Sequence, residues 1–330
     1  MKAVVIHEFG DIASHHVEDT ADPIPADDEV LIAVHATAVN FVDTLVVTGT
    51  YQFLPKRPFS PGKLPAGIVL ATGARVQNVR PGDRVLTLAE HGGYAQKAVA
   101  KARDCFFLPD ALSFTQAAAM ALAYDTAWFA LMDRGRSQQG ETVLVLGATG
   151  GVGLAAVQLA RAYGLKVLAG VSDPAKAELA RRAGADACID LSVPDLRDRL
   201  RDQVYAANEG KGADIVLDPL GDRFFEAAIR AVAWCGRLVV IGFAAGAIPT
   251  LKVNYLMLKN IEVSGLQVSD YRKRRPDLMQ RCMEEIFRLY GEGRLLPLPV
   301  EEVGLEQAMA ALIRVATRQA RGRVILTPQA

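Results

Sequence analysis

The sequence predicts an α/β protein in which a doubly wound parallel sheet is paired with a second, strand-rich domain. Three observations predict it. After about residue 120, short apolar strands alternate with helical patterns, the layout of parallel strands joined by crossover helices. Before that point, β-branched runs alternate with turns rich in proline and glycine, the densest being LPKRPFSPGKLP at 54–65. Where the alternating region begins, a glycine-rich turn joins a buried strand to a helix.

Composition bounds the function. The 330 residues are 51% hydrophobic and 22% charged, enough for about two domains with a substantial core. Lys and Arg total 37 and so do Asp and Glu, which gives no electrostatic reason to bind nucleic acid or an anionic membrane. The one dense basic run, Arg272 to Arg275, reads as a solvated surface turn. The amino terminus, MKAVVIHEFG, has neither the apolar core nor the cleavage site of a secretory signal, and no apolar run reaches membrane-spanning length. Cys105, Cys188, Cys235 and Cys282 form no C-x-x-C pair, so the expectation is a cytoplasmic protein with free thiols. His7, His15, His16, His35 and His91 make no metal-ligand spacing with any cysteine.

The elements follow in order. AVVI at 3–6, EVLIAVHATAV at 29–39 and AGIVLATG at 66–73 are strands of the first domain. Strands of the parallel sheet are expected at 142–146, 166–171, 187–189, 214–217, 237–241 and 261–266, with helical patterns in most of the gaps. Residues 276–330 supply two amphipathic helices and a closing strand, RVILTP. In the segment TVLVLGATGGVGLAAVQLARAYG, Gly147, Gly150, Gly151 and Gly153, with Val152 among them, let backbone amides and a helix amino terminus approach a pyrophosphate.

The spacing there is G-x-x-G-x-x-G, and with it a family resemblance emerges. NFVDTLVVTGTY at 40–51, PFSPGKLPAGIV at 58–69, VRPGDRV at 79–85, GGYAQ at 92–96, DPLG at 218–221 and GRLVVIGFAAG at 236–246 together resemble the zinc-free quinone oxidoreductase branch of the medium-chain dehydrogenase/reductase superfamily. The resemblance implies a GroES-like catalytic domain from residues 1–121 and 266–330 and a Rossmann dinucleotide-binding domain from 122–265. It also implies a homodimer formed through the exposed edge of the strand at 261–266.

In the zinc alcohol dehydrogenases a cysteine falls where this chain has Asp43, and a His-Glu pair falls where it has Lys63 and Leu64; the resemblance therefore implies a site without zinc. Pro65 replaces the usual glycine. On the substrate side the family implies Asn40 and Tyr51 as hydrogen-bond donors, with Thr126 near the nicotinamide. Asp43 is expected to support Asn40 or cap a local turn. Leu45 stands where relatives often carry a second tyrosine, and Tyr124 is a candidate to replace that hydroxyl.

Two readings of the cofactor compete. Asp173 lies at the distance where a carboxylate binds the ribose of NAD. The family instead places the discriminating position at Val171 or Ser172, with Lys176 and Arg318 at positions that hold the 2′-phosphate of NADPH, although Leu191 replaces a frequent tyrosine. NADPH is expected over NADH. The implied activity is zinc-independent, NADPH-dependent reduction of quinones or α,β-unsaturated carbonyl compounds; the alternatives are an enoyl-thioester reductase and a nucleotide-binding protein with a degraded active site.

Overall fold

The computed structural model describes residues 1–320 and 322–329. The chain forms two compact units, Met1–Leu122 with Pro297–Ala330, and Ala123–Leu296.

In the first unit the long strand Glu29–Ala38 is central. Up to Ala36 it alternates by the strand period, burying Val30, Ile32, Val34 and Ala36 and leaving Leu31, Ala33 and His35 half-buried, before Thr37 and Ala38 are both buried. It pairs antiparallel with Ala66–Thr72, with Lys97–Lys101 and with the late strand Arg323–Leu326. Gly67 is required by the close approach of Ala66–Thr72, because a Cβ there would lie 1.9 Å from the Ala33 carbonyl oxygen. At its carboxyl end the long strand runs into the helix Phe41–Val47, which places residues 40–43 at a strand-to-helix junction.

The second unit holds six parallel strands in the spatial order Ala187–Asp190, Lys166–Val171, Thr142–Val145, Ala213–Asp218, Val232–Val240, Glu262–Gly265. All six expected strands are present. The order reverses between Thr142–Val145 and Ala213–Asp218, the switch point beside which ligands bind in doubly wound sheets. Thr142–Val145 is buried throughout, and Leu144, Leu168, Ile189, Val216 and Leu238 share one core with the helices that cover it.

Three features differ from the reading of the sequence. The Arg272–Arg275 run is not a solvated turn: Arg272 lies in the helix Val268–Arg274, is 8% exposed, and pairs with the buried Asp125 carboxylate at 2.5 Å. An additional strand, Val300–Val303, pairs parallel with Arg323–Leu326. Packing also carries the second unit on to Leu296, past the sequence boundary near 266. Helix Pro276–Gly291 explains this, since it buries Met279, Cys282, Met283, Ile286 and Leu289 and its Glu285 accepts hydrogen bonds from Trp128 (2.6 Å) and Tyr163 (3.1 Å). Among the described residues no helix is long and apolar enough to cross a membrane.

Candidate active site

In the first unit, a set of polar side chains is buried around the junction at 40–43. Asp43 is 1% exposed and its Oδ2 accepts from the Asn40 backbone amide (2.9 Å) and from the Tyr94 hydroxyl (3.1 Å). This carboxylate caps the first turn of Phe41–Val47 and ties it to the GGYAQ segment. Burial pushes the Asp43 carboxyl up to about 6, against the opposing pull of the Asn40 amide, Lys63, the Tyr94 hydroxyl and Arg323. Burial, reinforced by Asp43, holds the Tyr94 phenol well above its ordinary range.

The Asn40 side chain is satisfied from two directions. Its Oδ1 accepts from Arg323 Nη2 at 2.9 Å, and its Nδ2 donates to the Ala38 carbonyl at 3.1 Å. Arg323 opens the strand Arg323–Leu326, which the antiparallel register Ile325 to Ala38 sets against the end of Glu29–Ala38.

The turn at 60–67 is pinned by backbone hydrogen bonds to 89–94: Gly92 donates to Ser60 (2.7 Å), Gly93 to Gly62 (3.0 Å), Tyr94 to Pro61 (2.9 Å), and Leu64 to Ala89 (2.8 Å). What the turn presents is a buried ammonium and a buried alkyl group. Lys63 pairs with the Glu90 carboxylate and sits over the Tyr51 ring, 5.5 Å from its centroid. Leu64 is fully buried and adopts φ 54°, a left-handed conformation that costs a leucine about 1 kcal/mol or more. Among the described residues no group of three or more His, Cys, Asp or Glu is placed to hold a metal ion.

In the second unit, Gly150 caps the helix Gly151–Ala162, whose first amides, those of Gly151, Val152 and Gly153, lack intrahelical acceptors. Gly153 must be glycine, because a Cβ there would stand 2.2 Å from the Gly147 carbonyl oxygen. At the switch point, Asp218 Oδ1 accepts from the Leu220 and Gly221 amides, both at 2.9 Å. Its Oδ2 is buried with no hydrogen-bond partner among the described residues, and burial raises the carboxyl above its ordinary range.

Ser172 is exposed just beyond Lys166–Val171. Asp173 Oδ1 accepts from the Ala175 amide at 3.0 Å, capping the short turn Pro174–Lys176 that carries Lys176. Leu191 is 1% exposed and belongs to the core. Thr126 is buried, and its backbone amide donates to Asp125 Oδ1 at 2.6 Å while Asp125 Oδ2 holds Arg272. The Tyr124 hydroxyl donates to Gln158 Oε1 at 3.1 Å in the interior of the second unit. Arg318, in the first unit, is exposed with φ 61° after the helix Ala308–Ala316.

Of the expected site residues, the first unit thus holds Asn40, Tyr51 and Arg318, and the second holds Thr126, Gly150 to Gly153, Ser172 and Lys176. Lys63 links Asn40 and Tyr51 into one cluster, since it acts on Asp43 and lies over the Tyr51 ring. No role is legible in the sequence for Tyr94, Glu90, Asp218 or Arg323. Tyr94 and Asp218 stood inside motifs that were recognised, whereas nothing local marked Arg323.

Comparison with known proteins identifies the family. The zinc-binding dehydrogenase family matches residues 151–285, and the alcohol dehydrogenase GroES-like domain matches residues 26–110. The quinone oxidoreductase-like protein 2 homolog of Nematostella vectensis is 34% identical over 301 residues, covering 90% of this chain and 81% of that protein. The quinone oxidoreductase of Pseudomonas syringae superposes with a TM-score of 0.91 at 29% identity, covering 99% of both chains. That of Escherichia coli, solved in complex with NADPH, gives 0.91 at 27% identity, covering 99% of this chain and 100% of the other. With a buried donor cluster in one unit and a glycine turn at the switch point of the other, the chain belongs to the quinone oxidoreductase branch of the medium-chain dehydrogenase/reductases and is an oxidoreductase of that superfamily.

Proposed function

We propose that this protein is a zinc-independent, NADPH-dependent reductase of quinones or α,β-unsaturated carbonyl compounds. The observation that carries the reading is the buried Asn40 carboxamide, oriented as a donor in a cluster whose residues at the family's metal-ligand positions are Asp43, its carboxylate taken up by the Asn40 amide and the Tyr94 hydroxyl, an ammonium, Lys63, and a buried alkyl group, Leu64. A fixed cation at that place repels a dication rather than binding it. An electrophilic substrate needs no Lewis acid if hydrogen-bond donors meet the charge that develops on its oxygen.

The second unit's residues fit a dinucleotide. The first-turn amides of Gly151, Val152 and Gly153 suit a pyrophosphate, and the unpaired Asp218 Oδ2 is an acceptor left for a ligand's hydroxyl. NADPH held there supplies a hydride. Thr126 is assigned to the nicotinamide side, and Ser172, Lys176 and Arg318 to the 2′-phosphate. Engagement of Asp173 in capping the 174–176 turn supports NADPH over NADH, as does the NADPH bound to the Escherichia coli relative. On the substrate side, Asn40 Nδ2 and the Tyr51 hydroxyl donate to the substrate oxygen, and the Lys63 ammonium adds positive potential beside Tyr51.

The four free thiols support a reducing compartment such as the cytoplasm. We also propose a homodimer through the sheet-edge strand Glu262–Gly265, beside which Met257 and Leu258 are 74% and 66% exposed; light scattering at micromolar concentration should report a dimer, and a monomer would refute it. The activity is tested by following NADPH consumption with 1,4-benzoquinone, 2-cyclohexenone and crotonyl-CoA in parallel. Turnover with either of the first two supports the reading; turnover confined to crotonyl-CoA favours an enoyl-thioester reductase, and NADPH binding without turnover favours a non-enzymatic protein.

A further inference from the structure

We infer that Arg323 is the positioning residue that fixes the Asn40 carboxamide as a donor; this rests on the role proposed above for Asn40. A carboxamide has two faces of nearly equal shape and opposite chemistry, an oxygen that accepts and an NH2 that donates. Turned by half a rotation, Asn40 would present an acceptor to the substrate oxygen and repel the charge that reduction places there. Something must choose between the two orientations.

The surroundings of Asn40 make that choice twice. A guanidinium has only N–H groups, so the amide atom 2.9 Å from Arg323 Nη2 must be the oxygen. A backbone carbonyl only accepts, so the atom 3.1 Å from the Ala38 oxygen must be the nitrogen. The reversed amide would set donor against donor and acceptor against acceptor in a place where Asn40 is 6% exposed and water cannot relieve the conflict. One Nδ2 hydrogen is taken by Ala38 and the other is left for a ligand oxygen. The charge on Arg323 also draws electron density through Oδ1, which strengthens the remaining N–H as a donor.

Arg323 is itself held. Its Nε donates to the Ala119 carbonyl at 3.1 Å, and its backbone amide donates to the Pro299 carbonyl at 3.1 Å. The guanidinium therefore bridges the end of the helix Phe114–Met120 and the strand-to-helix junction at Asn40, reaching a residue 283 positions earlier in the chain.

A double-mutant cycle on the full-length enzyme, with NADPH and 1,4-benzoquinone, tests this. Arg323→Met keeps an unbranched apolar stem and removes the donor; kcat should fall by about 10- to 100-fold with KM for NADPH unchanged. In an Asn40→Ala background the same change should alter kcat by no more than about twofold, because the group through which Arg323 acts is already gone. Arg323→Lys, which retains a cationic donor and guards against a folding defect in the methionine variant, should lose less than Arg323→Met and should be equally silent without Asn40. Effects of Arg323→Met and Asn40→Ala that multiply, or an Arg323→Met enzyme with intact kcat, would overturn the inference while leaving Asn40 its role. An Asn40→Ala enzyme with intact kcat would remove the underlying reading of Asn40, and Arg323 with it.

Discussion

The glycine turn at 147–153 and the cluster around Asn40 both offer hydrogen-bond donors, but they hold them in place by different means. In the turn the donors are backbone amides at the start of Gly151–Ala162, and what fixes them is the absence of a side chain at Gly153, where a Cβ would collide with the Gly147 oxygen at 2.2 Å. Around Asn40 the donors are side chains fixed by other side chains brought from elsewhere, Lys63 by Glu90 and Asn40 by Arg323, while the acceptor Asp43 is held by Tyr94. A backbone site is written in one short segment. A side-chain site depends on the whole first unit being folded, and it can be retuned by changing a residue that never touches the ligand.

That contrast can be broken by experiment. The largest effect should follow removal of a side-chain donor: Asn40→Ala should lower kcat by about 10²–10³, and Tyr51→Phe should also lower it, with NADPH affinity unchanged in both. Steady-state kinetics with a separate measurement of NADPH binding checks this, and unchanged turnover in both variants would reduce the cluster to packing. Next come the side chains assigned to the 2′-phosphate. Lys176→Ala and Arg318→Ala should each weaken NADPH binding by about 10- to 100-fold and barely affect NADH. Equal losses for both cofactors, or a wild-type preference for NADH, would give the decision to Asp173.

A separate effect should appear in stability against pH. Burial lifts the folded Asp43 carboxyl to about 6, above an unfolded value near 3.9, so the folded state binds that proton more tightly. Its contribution to stability is present below the unfolded value and is lost as pH rises through 6, a change on the order of 2–3 kcal/mol. Urea unfolding between pH 4 and pH 7 should show this decline in the wild type and a flatter profile in Asp43→Asn. Parallel profiles would place the titration elsewhere.

The same difference explains what could be read from the sequence. The six parallel strands were legible because each is a short apolar run with turn or helix signals on both sides, as in TVLVL before the glycine turn. The strand Val300–Val303 escaped because VEEV, with two glutamates at the edge of its sheet, carries no such signal. Asn40 and Tyr51 were found through a motif, but the partners that orient the cluster were not, since Asn40 and Arg323 meet only through the pairing of two strands from opposite ends of the chain. Arg272 was misread for a similar reason: a run of four basic residues does not say which one faces inward, and its carboxylate partner is 147 positions away.

The central claim is that buried protein donors, not a metal ion, carry the charge on the substrate oxygen. The direct measurement is elemental analysis of the purified, active protein, paired with turnover of NADPH and 1,4-benzoquinone before and after treatment with a chelator. The expected result is zinc far below one equivalent per chain and turnover that the chelator does not change. A content of about one zinc per chain, lost together with activity and restored with it on adding the metal back, would contradict it.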